Sequence, residues 1–205
     1  MSRAQRMRVE ERRPLVLDAA LALLASGSPS PVSMEAIAAR AGVAKPSVYN
    51  CFESKEALLQ ALAEREEKRI EELVDKALTG LDLTAPAVDL LAAGFTAILQ
   101  SVEGSPPTWR LLYPTDGNRP PAVTRRMFRV RERNTKLLQA VLAAHLSEHG
   151  DEAERKAAFL AHMVAGMLDQ MIELVLAETQ QFAPGELARM GAELVVNGEG
   201  GLQRP

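Results

Sequence analysis

Apolar residues recur at helical intervals along most of the chain, and clusters of Gly, Pro and Ser divide them into segments. In residues 11–26, Val16, Ala19, Ala20, Leu23 and Leu24 follow the i, i+3, i+4, i+7, i+8 spacing of a helix with one buried side. Residues 27–31, Gly-Ser-Pro-Ser-Pro, close that segment. Ser33 then stands as an N-cap for a second helix, with Glu35 in the first turn where the helix dipole favours negative charge. Gly42 suits the left-handed conformation that ends a helix, and Pro46 fits the first turn of a third, where no N–H is needed. Ser54 caps a fourth helix over residues 55–78, with Leu58, Leu59, Leu62, Leu73, Val74 and Ala77 recurring on one side.

Past Gly80 the segments lengthen. Residues 85–102 form an apolar helix, 108–113 a short piece, and 114–121 a loop. Further helices cover 122–149, 151–180 and 184–197, and the residues from Gly198 onward read as a tail. Val, Ile and Thr runs with period-two alternation are absent, and Leu, Ala, Glu and Arg dominate. The pattern predicts an all-α fold of about nine helices.

Residues 33–55, SMEAIAARAGVAKPSVYNCFESK, carry the most information. Two short helices about a glycine turn form a helix-turn-helix, and the second is slim enough for a major groove about 12 Å wide. Ile37, Ala38, Ala41, Val43 and Val48 have the spacing to pack the two helices together. Ala44, Lys45, Pro46, Ser47, Tyr49 and Asn50 are left facing outward. A hydroxyl, an amide and an ammonium side by side suit phosphates and base edges better than a plain solvated surface.

Residues 12–62 resemble the DNA-binding domain of the TetR family of bacterial transcriptional regulators. The shared features are the paired Ala19-Ala20, the run EAIAARAG, Val43, Lys45, Ser47, Tyr49, Phe52, and Ser54-Lys55 followed by acid-x-Leu-Leu. The resemblance implies phosphate contacts at Ser33, Tyr49 and Lys55, base or groove contacts at Lys45, Pro46, Ser47 and Asn50, and a place for Ala44 in the same DNA-binding set. Pro46 stands where the family often has Gly or a small residue, Ala44 where it has Ser or Thr, and Asn50 and Cys51 where an aromatic or His is common. An unusual operator sequence follows from those departures. Residues 1–55 are thus a DNA-binding domain, made of three helices and the start of the fourth. Residues 56–198 are a helical ligand-binding and dimerisation domain, and 199–205 a disordered tail.

In the segment 151–180, Leu160, Met163, Val164, Met167, Leu168, Met171, Leu174 and Val175 form one apolar stripe, with Ala161, Ala165, Ile172 and Leu176 beside it. The last helix adds Leu187, Met190, Leu194 and Val195. A helix apolar on two sides must bury both, and a homodimer through a four-helix bundle of the last two helices does so. The expected partners are therefore a second copy, an operator in double-stranded DNA, and an apolar or amphipathic small molecule. Phe95, Leu99, Trp109, Leu112, Tyr113, Met127, Phe128, Met163 and Met167 are candidates to line its pocket, or ordinary core. Arg125, Arg126, Arg129 and Arg133 offer either an anion-attracting face or a solvated one balanced by acids.

The formal charge of −3 conceals a split. Residues 1–55 hold eight Lys and Arg against five acids, and the rest sixteen against twenty-two, so only the N-terminal part suits a polyanion. Arg3, Arg6 and Arg8 form a basic arm that follows a phosphate strand or simply solubilises the end. One cysteine, Cys51, excludes an internal disulfide framework and a Cys-based zinc cluster. His145 and His149, with His162 one helix on, read as surface histidines, so no metal or cofactor is expected. No nucleophile elbow, phosphate loop or HExxH run is present, and no enzyme is expected. The basic N-terminus lacks the apolar segment of a signal peptide, and no uninterrupted apolar stretch reaches the roughly 18–20 residues that cross a bilayer. A cytoplasmic regulator without membrane contact is the expectation: a repressor released by its ligand, or alternatively a ligand-independent or architectural DNA-binding protein.

Overall fold

In a computed structural model of the chain, the described residues are 8–26, 32–82, 84–113, 121–145, 151–177 and 182–202. Among them the order is α1 (Val9–Ala25), α2 (Met34–Ala41), α3 (Lys45–Tyr49), α4 (Lys55–Thr79), α5 (Ala87–Gly104), α6 (Pro106–Leu112), α7 (Pro121–His145), α8 (Asp151–Leu176) and α9 (Pro184–Leu202), with no strand. Arg3, Arg6, the breaker 27–31, the loop 114–120 and His149 lie outside the described residues, as do the side chains of Leu112 and His145.

Local chemistry sets the ends of the short helices. Ser33 Oγ accepts the backbone N–H of Ala36 at 3.1 Å, and Ser54 Oγ that of Ala57 at 3.0 Å, each satisfying a first-turn donor. Gly42 closes α2 at φ 67°, and its N–H reaches the carbonyls of Ala38 and Ala39. The Val43 N–H then donates to Ala38 O at 3.0 Å, completing a glycine C-cap that lets the chain turn into α3. α1 starts earlier than its apolar stripe suggests. The Arg8 N–H donates to Glu11 Oε2 at 3.2 Å, and Glu10 and Glu11 sit in the first turn.

The chain divides into two compact units, Met1–Ile70 with Pro107–Phe128, and Glu71–Pro106 with Arg129–Pro205. The first unit takes in α4 as far as Ile70, α6 from Pro107 and the start of α7. Its core comprises Val16 and Ala20 of α1, Ile37 of α2, Val48 of α3, and Leu58, Leu62 and Ile70 of α4, all fully buried. The reason the unit extends is polar. Glu66 is also fully buried, and its Oε2 accepts from Thr108 Oγ1 of α6 at 2.7 Å. Arg65 Nε donates to Glu66 Oε1 at 2.8 Å, and Arg65 Nη1 reaches Asp18 Oδ1 of α1 at 2.7 Å. On α7, Arg126 pairs with Glu67 and, at 3.1 Å, with Glu64.

In the second unit α5, α8 and α9 pack together around Leu99 and Val102 of α5, Ala157, Ala161 and Ile172 of α8, and Ala188 and Ala192 of α9. Gly191 of α9 leaves room for the Met171 side chain of α8, since a Cβ there would lie 2.0 Å from Met171 Cε. α8 ends at Leu176, short of residue 180. α9 runs to Leu202, through much of the stretch expected as a tail. By length and composition α8 is the one helix among the described residues able to cross a membrane. One face of it, from Ala153 through Ala157, Ala161 and Val164, is nevertheless buried in this unit, and its Asp169 pairs with Arg131 of α7.

Candidate nucleic-acid interface

Three helix starts and one short helix frame the candidate surface. Val48 is the inward anchor of α3, packed with Ile37 and Ala38 of α2 in the buried interior. The opposite side of α3 is open: Ala44, Lys45, Pro46, Tyr49 and Asn50 are exposed and Ser47 is half-buried. Tyr49 keeps 45% of its surface accessible, a large value for an aromatic side chain without a partner to cover it. Pro46 sits in the first turn of α3, and Asn50 caps its end with an N–H bonded to the Pro46 carbonyl. Ser33 and Lys55, both half-buried, stand at the starts of α2 and α4. The fold therefore leaves Ala44, Lys45, Pro46, Tyr49 and Asn50 on the open side of α3 and sets Ser33 and Lys55 at two other helix N-termini of the same unit.

The role of Arg13 was not singled out by the sequence reading. Arg13 Nη1 of α1 donates to the Cys51 carbonyl at 2.7 Å, and its guanidinium lies 4.2 Å from the centre of the Phe52 ring. This contact ties α1 to the turn after α3. Its signal was the Arg12-Arg13 pair, easily read as part of a basic arm. Arg12 is itself buried. Glu35 of α2 forms an ion pair with Lys45, whose ammonium also lies 5.9 Å from the Tyr49 ring centre. That pair holds the Glu35 carboxyl below the usual carboxylate range and the Lys45 ammonium above its ordinary value. Cys51 is buried beneath the turn, and burial raises its thiol against smaller opposing effects of Arg12 and Arg13.

The residues expected to line a pocket fall in different settings. In the first unit Trp109, Tyr113 and Met127 are buried, and the Trp109 and Tyr113 rings stack with centres 6.4 Å apart. The Trp109 indole N–H is buried without a hydrogen-bond partner among the described residues. Phe128 stands 69% exposed. In the second unit Phe95 and Leu99 are buried, Met167 is half-buried against Gly191, and Met163 is exposed. Of the four arginines on α7 considered for an anion-attracting face, Arg126 is committed to Glu64 and Glu67 and Arg133 to Glu71, while Arg125 and Arg129 are exposed; the fifth, Arg131, pairs with Asp169. His162 Nδ1 lies 2.7 Å from the Ala158 carbonyl of its own helix.

A family model described as bacterial regulatory proteins of the tetR family matches residues 16–62. An uncharacterized HTH-type transcriptional regulator of Mycobacterium tuberculosis, MT1294, is 30% identical over 166 residues, covering 78% of this chain and 76% of that protein. The HTH-type transcriptional repressor KstR of Mycolicibacterium smegmatis is 43% identical over 76 residues, 37% of this chain. That match spans 35% of the repressor's own length. A crystal structure of a TetR-like transcriptional regulator from Rhodococcus sp. RHA1 shares the fold with a TM-score of 0.74, at 23% identity over 93% of this chain and 96% of that one.

Proposed function

The chain belongs to the tetR family of bacterial regulatory proteins, and from that premise we propose that it is a cytoplasmic repressor. It binds a palindromic operator as a homodimer and leaves it when a small molecule binds. The observation that carries the DNA-binding part is the row of exposed Lys45, Tyr49 and Asn50 on a helix whose other side is anchored by the buried Val48. An ammonium, a phenol and an amide in one row offer donors and acceptors to base edges and phosphates together.

Support for the homodimer comes from the second unit. Phe159, Met163 and Leu174 of α8, with Met190 and Leu194 of α9, remain exposed after the other side of α8 is buried. Covering them by a second copy leaves two reading heads related by a two-fold axis. Such heads enter successive major grooves when their spacing is about 34–36 Å, or more for a longer operator. α4 begins at Lys55 in the reading unit, and its residues from Glu71 belong to the other unit. A change in its tilt alters the spacing and costs contacts.

The effector in this reading is apolar or amphipathic, with at least one acceptor. The buried indole N–H of Trp109, unpartnered among the described residues, is a donor suited to such a group. The test is an anisotropy titration of the operator complex against fatty acids, their thioesters and related amphiphiles. A true effector should weaken operator affinity by roughly 5–150-fold. A compound that demonstrably binds the protein yet leaves operator affinity equal would reject ligand release.

A further inference from the structure

The ion pair between Glu35 and Lys45 puts a carboxylate where a DNA-binding surface would ordinarily be left positive. Both side chains are well exposed, at 60% and 49%, so the pair is open to competition from solvent and from DNA. The Glu35 carboxylate is held ionised first by Lys45, then by its own backbone N–H, with a smaller contribution from the Ser33 hydroxyl. The ammonium that Glu35 engages, at the start of α3, is the kind of donor that a DNA phosphate takes at a helix start.

We infer that Glu35 is a specificity-determining residue: in the free protein its carboxylate occupies Lys45 in place of a DNA phosphate, and so suppresses binding to arbitrary sequence. The inference rests on the DNA-binding reading above. Non-specific affinity grows with the number of phosphates a protein neutralises, because each releases condensed counterions. A lysine already neutralised by a carboxylate adds little to that release, and a displaced Glu35 would face a polyanion. On the correct sequence the balance differs. An ammonium has three donors, so Lys45 keeps Glu35 while giving a second N–H to a base-edge acceptor. Glu35 and the Tyr49 ring then hold that ammonium in a fixed direction, which favours one acceptor position over others.

The experiment uses the full chain, as wild type, E35Q, K45M and E35Q/K45M. Affinity is read by fluorescence anisotropy on two duplexes of equal length, an operator recovered by selection and its scrambled sequence, over about 50–200 mM salt. E35Q should tighten binding to the scrambled duplex by about five- to tenfold and steepen its salt slope by about one. Operator affinity should change by less than about twofold, so the specificity ratio falls. E35A removes the same charge without an amide and should behave alike. In the K45M background the Glu35 substitution should leave the ratio unchanged. A wild type that binds DNA, with a ratio unaltered by E35Q or an effect that persists in full without Lys45, overturns this inference alone. A wild type that binds neither duplex overturns the DNA-binding reading and this inference with it.

Discussion

Thr108 Oγ1 donates to Glu66 Oε2 at 2.7 Å, and neither side chain is open to solvent. Through Glu66 and Arg65 that hydrogen bond leads on to Asp18, so one polar chain joins α6, α4 and α1 of the reading unit. A buried carboxylate is tolerable only when its oxygens are engaged. Here Arg65 and Thr108 divide them.

Thr108→Val keeps the shape of the side chain and removes the donor. It should cost about 1.5–3 kcal/mol, the range for a hydrogen bond to a charged group. Urea unfolding with an unchanged m-value reads that loss as a lower midpoint. An unaltered midpoint would mean that Thr108 does not hold the Glu66 carboxylate.

Lys55→Ala and Tyr49→Phe test the phosphate assignment made from the resemblance. Each substitution should weaken binding to every sequence by a similar factor. Loss of the Lys55 charge should also flatten the salt dependence by about one unit of slope, whereas loss of the Tyr49 hydroxyl should leave the slope nearly unchanged. Measurements on the operator and on scrambled DNA at several salt concentrations check both. A Lys55→Ala slope equal to that of the wild type would remove Lys55 from the phosphate contacts.

Much of this site was legible from residues, because the glycine turn, the serine caps and the outward row of α3 are set by local chemistry. Ser33, Gly42 and Ser54 do in the structure what their types suggest. Glu66 was not legible as a buried group, since it lies within AEREEKRIEE, where an acid reads as solvated surface. Its place in the file Leu58, Leu62, Glu66, Ile70, each four residues apart, was the available clue. A lone acid in an apolar stripe needs partners, and Thr108 on α6 comes from distant sequence. The Glu35–Lys45 pair was hidden for a related reason. A first-turn acid is explained by the helix dipole alone, and only the turn at Gly42 brings Lys45 to it. On α8 the two apolar stripes gave the right surplus without saying which side the chain itself buries.

Leu194→Glu probes the surface left over. The side chain is 69% exposed on α9, so the substitution should leave the helical content and the unfolding midpoint of the single chain nearly unaltered. It should shift sedimentation from dimer toward protomer, because a carboxylate at an apolar contact is costly to desolvate. A dimer that survives both this change and Met163→Glu would place the interface elsewhere.

Cys51 should be slow to react. Its thiol is buried and held above its ordinary value, chiefly by that burial, so the reactive thiolate is scarce at neutral pH. The stabilisation that goes with this shift is complete below the ordinary thiol value. It is lost as the pH rises through the folded-state value. Disulfide exchange with an aromatic reagent near neutral pH should run about tenfold or more slower than in the denatured chain. Equal rates would show that the turn after α3 opens freely.

The most direct measurement is selection of bound sequences by the full chain from a random duplex pool. The account predicts recovery of an inverted repeat whose half-site centres lie about 10–10.5 base pairs apart, or somewhat more. Recovery of a single unrepeated site, or no enrichment at all, would contradict it.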